Sequence, residues 1–242
     1  MITPYGIAKI TMTPEKRKDA QNNYFAFYVG RPLSYLLTIP FLYTNITPNT
    51  ISIISIIPNV IGFILMGIGN NKATLLYGWG CFFLWNLLDG VDGNIARFKK
   101  LSSPMGSVYD AMSGYTALVF SFFAFGLAAA HNGGSTSHLL SSELYIVLGA
   151  LSSIFSLFPR LVMHRALTLL KDSQVAADLM KKSEYGLVKI IALNVMSPSG
   201  FVQIVMLLSI IFNVMDIFTL VYCFMNFLIM IVALKNILTK KN

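Results

Sequence analysis

Asp89-Gly90-Val91-Asp92-Gly93-Asn94-Ile95-Ala96-Arg97 grows out of the apolar run 73–88 and precedes a second apolar run that opens Gly106-Ser107-Val108-Tyr109-Asp110. Such apolar runs predict helices, on which residues three and four apart share a face. Asp89, Asp92, Gly93 and Ala96 then line one face, and Gly106, Asp110 and Gly114 line another. Asp89, Asp92 and Asp110 are three of only ten acidic residues in the chain. A carboxylate in or near lipid is costly and marks a functional site with a partner. The neighbouring sequence supplies no matching excess of cations, so the expected partner is a hard divalent ion held through oxygen, Mg²⁺ or Mn²⁺.

Composition agrees that these helices meet lipid. Of 242 residues, 55% are hydrophobic and 12% charged, with a mean hydropathy of +0.67. A soluble domain of this length carries about twice that share of charge. Several runs approach the roughly 20 apolar residues that span a bilayer. The expectation is all-α: a polytopic membrane helical bundle of about six transmembrane helices with an N-terminal interfacial helix. A cytosolic or interfacial lead-in is expected over residues 1–48, and the membrane domain over 49–242. The net charge of +8 points to topology and anionic lipid, not to nucleic acid. Cys81 and Cys223 lie inside apolar runs and read as packing residues. The first 30 residues are polar and mixed, so no cleavable signal peptide is expected.

Along the chain, Pro14 and the charged cluster Glu15–Asp19 read as a helix start. Leu33–Tyr43 is too short to span and reads as an amphipathic interfacial helix. Thr47-Pro48-Asn49-Thr50 is a breaker and cap, with Asn49 and Thr50 read as cap residues in preference to nucleotide contacts. The expected spans are Ile51–Ile68, Ala73–Leu88 continuing as helix to Arg97, Gly106–Ala130, and Leu144–Val162. Phe201–Leu234 is too long for one span and is expected to turn at Asn213 and Asp216. Arg165–Lys189 reads as a basic interfacial helix, and Ser197–Gly200 as a further break. With the N-terminus inside, the loops 69–72, 131–142 and 213–216 lie outside and carry one basic residue, Lys72. The remaining 17 of the 18 Lys and Arg fall at inner positions, as the positive-inside rule requires. Both termini and the three aspartates are therefore expected on the cytosolic side.

The spacing D-x-x-D-G-x-x-A-R-x8-G-x-x-x-D is also that of a known signature. Asp89, Asp92, Gly93, Ala96, Arg97, Gly106 and Asp110 place the chain as resembling the CDP-alcohol phosphotransferases, also called CDP-alcohol phosphatidyltransferases. Seven residues in register arise by chance at roughly 10⁻⁸ per start position. Arg31-Pro32-Leu33-Ser34 and Thr47–Ser52 resemble the family's lead-in and first-span start. They are more similar to members that use soluble sugar- or inositol-type substrates. The resemblance implies six spans, a homodimer, and transfer of a phosphoryl-alcohol group from a CDP-linked donor, CDP-diacylglycerol or a CDP-polyol, with release of CMP. It implies metal on the pyrophosphate, held by Asp89, Asp92 and Asp110. Gly93 and Ala96 would let a cytidine or phosphate lie close, Arg97 would hold a phosphate or lock an aspartate, and Gly106 would bring the second and third spans together.

One position departs from the pattern. The resemblance implies an aspartate at 114 as general base for the acceptor hydroxyl; Gly114 offers no side chain. Three readings stay open: an acceptor that needs no strong base, substitution by another group such as Ser113, Tyr109 or Tyr115, or binding of CDP-alcohols without turnover, as in a scaffold or sensor. Lys99, Lys100, Arg160 and Arg165 are candidates for an acceptor-phosphate pocket, Lys100 and Arg160 foremost; simple inner-face anchoring is the competing reading for each. His164 is expected at the interface, and His131 and His138 far from the aspartates. Divalent-cation transport is disfavoured because the outer halves of the spans are dry.

Overall fold

Three Thr-Pro pairs start three helices of the computed structural model, which describes residues 2–101, 103–136, 139–169, 194–195, 197 and 199–239. Thr3-Pro4 opens α1 (Pro4–Thr11) and Thr13-Pro14 opens α2 (Pro14–Gln21). After α3 (Arg31–Leu42), Thr47-Pro48 opens α4 (Pro48–Ile68). In each pair the threonine hydroxyl accepts the backbone N–H three residues on, at 3.1, 3.3 and 3.3 Å. Proline then fills the first helical position, where its missing N–H costs nothing. The cap expected from Asn49 and Thr50 thus rests on Thr47, while the Asn49 amide donates to Ser103 Oγ at 3.5 Å.

Four longer stretches follow: α5 (Lys72–Phe98), α6 (Gly106–Asn132), α7 (Ser142–Leu169) and α9 (Met215–Thr239), with the shorter α8 (Val202–Ile211) before the last. Asn71 caps α5 by accepting Thr74 N–H at 2.9 Å. By length and composition α4, α6, α7 and α9 can each cross a membrane. α5 is as long as α6 but mixes Tyr77, Trp79, Trp85 and Asn86 into its apolar run before the acids. The expected fifth span is shorter than the sequence suggests. Gly200 N–H closes a turn on Ser197 C=O at 2.7 Å, so α8 has only ten residues, about 15 Å or half a hydrocarbon core. The turn after it falls at Asn213, whose φ is +54°, whereas Asp216 lies within α9 and is fully buried. α7 continues past Val162 to Leu169 and includes Arg165. The rest of the expected basic helix, 170–189, His138 and Lys240–Lys241 lie outside the described residues.

α4 is the central strut, packed along both α5 and α6, while α7 bridges α6 and α9. α5 and α6 touch little, so Gly106 does not bring them together: a Cβ there would face Ser103 Oγ and, on α4, Asn49 Oδ1 at 3.6 Å. Close approach is made elsewhere. A Cβ on Gly62 of α4 would lie 2.9 Å from Gly78 C=O of α5, and one on Gly126 of α6 would lie 2.7 Å from Gly149 Cα of α7. Lipid is as apolar as leucine, so helices associate through such contacts and through interhelical hydrogen bonds, not through hydrophobic exclusion. Asn226 Nδ2 donates to Ser152 Oγ at 2.8 Å and Ser153 Oγ to Val119 C=O at 2.8 Å; such bonds contribute about 0.6 kcal/mol each, at most roughly 1.7. One apolar cluster includes Phe82, Phe122, Phe125, Tyr145, Met206 and Phe218. A second seats the lead-in on α5 through Ile7, Tyr35, Leu42, Ile51, Leu88, Val91 and Ile95.

The ends of the bundle differ. The loops at 69–72, 133–136 and 212–214 are stitched to one another: Asn132 Nδ2 donates to Gly69 C=O, Lys72 Nζ to Ile211 C=O, and Thr136 Oγ1 to Asp216 Oδ2, at 2.9, 2.7 and 2.7 Å. Lys72 thereby serves the carbonyl end of α8. The 99–106 connection and the starts of α4 and α6 gather at the other end.

Candidate functional site

At that other end a cavity of about 1200 Å³ opens between the start of α4, the second half of α5, the first half of α6, the second halves of α7 and α9, and the lead-in. Asp89, Asp92, Gly93, Ala96, Arg97, Gly106, Asp110 and Gly114 all line it. Three carboxylates from two helices that barely touch are thus brought to one space by α4, which packs against both. Asp92 is buried and its Oδ2 accepts from Ser52 Oγ of α4. Asp110 is exposed to the cavity and repels both Asp89 and Asp92.

Arg97 is set by a relay from the lead-in. Its guanidinium donates to Asn94 Oδ1 at 3.3 Å, and Asn94 Nδ2 donates to Ser34 Oγ and Thr38 Oγ1 of α3 at 3.3 and 3.1 Å. The guanidinium folds back over Gly93: a Cβ there would lie 2.8 Å from Nη2. The space that Gly93 was expected to leave for a ligand is occupied by Arg97 itself. α3 in turn meets α5 at Gly90, where a Cβ would lie 2.8 Å from Ser34 Cβ. Two donors in the cavity wall, Arg97 Nε and Asn86 Nδ2, are buried without a partner among the described residues. Buried donors of this kind cost free energy unless an acceptor arrives.

The candidate basic residues separate. Arg160 lines the cavity, within electrostatic reach of Asp89 and Tyr115. Lys100 does not. α5 ends with Leu101 N–H bonded to Ala96 C=O at 2.9 Å and Lys100 at φ +56°, the left-handed position that closes many helices; Lys100 is left exposed, outside the cavity wall. Lys99 Nζ donates to Thr44 and Phe41 C=O and so serves the end of α3. Arg165 is exposed and outside the wall.

Among the groups weighed in place of a base at 114, Ser113 is turned into the protein, where its hydroxyl meets Ser55 Oγ at 2.6 Å and accepts from Trp85 Nε1 at 2.8 Å. Tyr109 is not in the cavity wall. Tyr115 is, and its hydroxyl is hydrogen-bonded to Nδ1 of His164, which lines the cavity from α7. Gly114 itself has nothing within 4 Å of where a Cβ would be.

Sequence reasoning missed three contributors. The lead-in supplies Lys16, Asn23, Gly30 and Arg31 to the wall. A π-helical turn, Ala26–Gly30, delivers Arg31; such turns often accompany functional sites, and nothing in the residue pattern announces this one. His164 stands four residues after Arg160, on the same helix face, a spacing visible in the sequence.

The donor chemistry suits a hard cation: acidic oxygens only, mutually repelling, on a cavity open to water. The described residues do not form a preassembled group of three His, Cys, Asp or Glu at metal-holding distance. The carboxylates share a space, and a cation between them would relieve their repulsion. A search of curated proteins finds no match to the chain. A family model described as CDP-alcohol phosphatidyltransferase does match, over residues 45–235. That stretch contains all seven signature residues from Asp89 to Asp110, though not Arg31–Ser34, and well over half of the chain, which therefore belongs to the CDP-alcohol phosphatidyltransferase family.

Proposed function

We propose that the chain transfers a phosphoryl-alcohol group from a CDP-linked donor to a hydroxyl acceptor, releasing CMP. The observation that carries this is the convergence of Asp89, Asp92, Asp110, Arg97 and the open Gly114 position on one cavity in a family member. The cavity exceeds the usual range for a single small ligand, as two substrates require. Its α7 and α9 wall carries Phe155, Pro159, Met163, Ile229, Ala233 and Ile237. These apolar residues, set among Ser156, Arg160, His164 and Asn226 of the same two helices, favour a lipid-linked donor such as CDP-diacylglycerol with a polar, polyol-type acceptor.

Asp89, Asp92 and Asp110 would hold Mg²⁺ or Mn²⁺. When bound there, the ion supplies positive charge against the pyrophosphate and fixes its oxygens. Ser52 keeps Asp92 oriented. Arg97, held by Asn94 and α3, presents its Nε and Nη donors to phosphate oxygens. Asn86 offers an amide donor from the buried end of the cavity. Arg160, within electrostatic reach of Asp89 and Tyr115, would supply positive charge to the acceptor. Attack of the acceptor oxygen on phosphorus then displaces CMP, catalysed mainly by positioning and charge.

The test is CMP release by the purified full-length protein in detergent, over CDP-diacylglycerol and CDP-polyols with varied acceptors and Mg²⁺. Ion-dependent release that disappears in D89N, D92N and D110N is expected. Tight CDP binding with no release under any combination would establish a binding protein instead.

A further inference from the structure

We propose that Tyr115 and His164 act as a pair to take the proton from the acceptor hydroxyl. The proposal rests on the transferase reading above. An alcohol that attacks phosphorus must lose its proton to something within hydrogen-bond reach. The three aspartates are poor choices if their oxygens are engaged on a cation. Ser113 is committed to Ser55 and Trp85, away from the cavity. A tyrosine alone is no base at neutral pH, because its hydroxyl ionises near 10. Tyr115 is not alone.

His164 Nδ1 and Tyr115 Oη are directly hydrogen-bonded across the α6–α7 seam. The two rings lie 5.5 Å apart, tilted by 44°, so they meet at their polar edges and not face to face. An imidazole accepts protons near neutral pH, and in the tautomer that carries its proton on Nε2 the nitrogen facing the phenol is an acceptor. Arg160, one turn before His164, lies within electrostatic reach of Tyr115 and would stabilise negative charge that develops on the phenol oxygen during transfer. Tyr115 adjoins Gly114, above which nothing lies within 4 Å. The missing side chain leaves room for an acceptor beside the tyrosine.

The step balances. As the acceptor oxygen forms its bond to phosphorus, its proton passes to Tyr115 Oη. Tyr115 passes its own proton to His164 Nδ1. The phosphorus–oxygen bond to CMP breaks, and its electron pair leaves on the CMP phosphate. His164, exposed at the cavity, returns the extra proton to water. Tyr115 is the group that touches substrate, and His164 acts through it.

The experiment compares wild type, H164Q, Y115F, H164Q/Y115F and H164Q/G114D in CMP release, with CDP affinity measured by calorimetry in parallel as a control for folding. H164Q and Y115F are each expected to lower kcat by about 10²-fold or more, with CDP affinity and acceptor KM changed by less than about threefold. Because the two act as one unit, H164Q/Y115F is expected to be no worse than either alone. An aspartate at 114 replaces the pair, so H164Q/G114D is expected to recover at least about tenfold of the lost rate. Wild-type kcat in H164Q, or a loss confined to CDP affinity, overturns the pair while leaving the transferase reading intact. A wild-type protein that releases CMP from no donor removes both.

Discussion

Arg97 occupies the space over Gly93, and this gives the glycine a role different from ligand approach. A methyl group at 93 would meet Nη2 at 2.8 Å, but the atom displaced is the end of a flexible side chain. Gly93→Ala is therefore expected to fold normally and to misplace the guanidinium. A charge-assisted hydrogen bond is worth about 1.5–3 kcal/mol, so CDP affinity measured by calorimetry should fall by roughly 10- to 100-fold with an unchanged melting temperature. Ser52 makes the second residue-scale prediction. Its hydroxyl is the side-chain donor to the buried Asp92, and in Ser52→Ala the carboxylate is freer to turn. The Mg²⁺ concentration for half-maximal CMP release should rise, by about tenfold if one net hydrogen bond of about 1–1.5 kcal/mol is lost; an unchanged ion dependence would show that Asp92 is held by other means. The motif spacing alone brought the aspartates, Gly93, Ala96, Arg97 and Gly106 to one place. Lys100 was a candidate by charge and not by the motif, with inner-face anchoring as its competing reading, and its left-handed closing position outside the cavity wall could not be told from its residue type. The spacing passed over His164, because a histidine after Arg160 signifies a pair only once Tyr115 of another helix is seen beside it.

At the scale of elements, the crossings decide stability and the caps decide where helices begin. Gly126 and Gly149 meet backbone to backbone, and neither chain can yield by a rotamer change. Gly149→Ala is expected to separate α6 from α7 at a cost of about 1–3 kcal/mol, read as a drop in melting temperature in detergent. Gly80, on the same helix as Gly78, has nothing within 4 Å of a Cβ. Gly80→Ala should be neutral or stabilise by about 0.5–1 kcal/mol, the helix-propensity gain alone. Equal responses would mean that the α6–α7 contact is not as close as the Gly126–Gly149 distance requires. The helix starts at Pro14 and in Thr47–Thr50 were legible, whereas the Thr3-Pro4 start and the Asn71 cap went unread although each is a local hydrogen bond between residues three apart. The shortness of α8 was less legible. The mainly apolar run from Phe201 to Phe212 carries no length signal of its own, and the Ser197–Gly200 turn, which satisfies its backbone locally, delays the helix start.

At the scale of the whole molecule, the two ends of the bundle have opposite characters. One end is closed by local contacts: Asn132 on Gly69, Thr136 on Asp216, and Lys72 spent on the end of α8. The other is open, charged, and holds the cavity with Lys16, Arg31, Arg97 and Arg160 in its wall. The positive-inside rule predicts that the second end faces the cytosol, the side on which the proposed transfer would meet a polar acceptor and release CMP. Ser135 and Met105 are exposed at opposite ends, which makes the orientation measurable. In a C81S/C223S background, a cysteine at Ser135 is expected to react with an impermeant maleimide added to intact cells. A cysteine at Met105 is expected to react only after the membrane is opened. The reverse pattern would put the cavity outside, away from the nucleotide pool, and the transferase would lack a donor. Labelling of both from one side would contradict the stitched loops, since α6 runs unbroken from Gly106 to Asn132 between them.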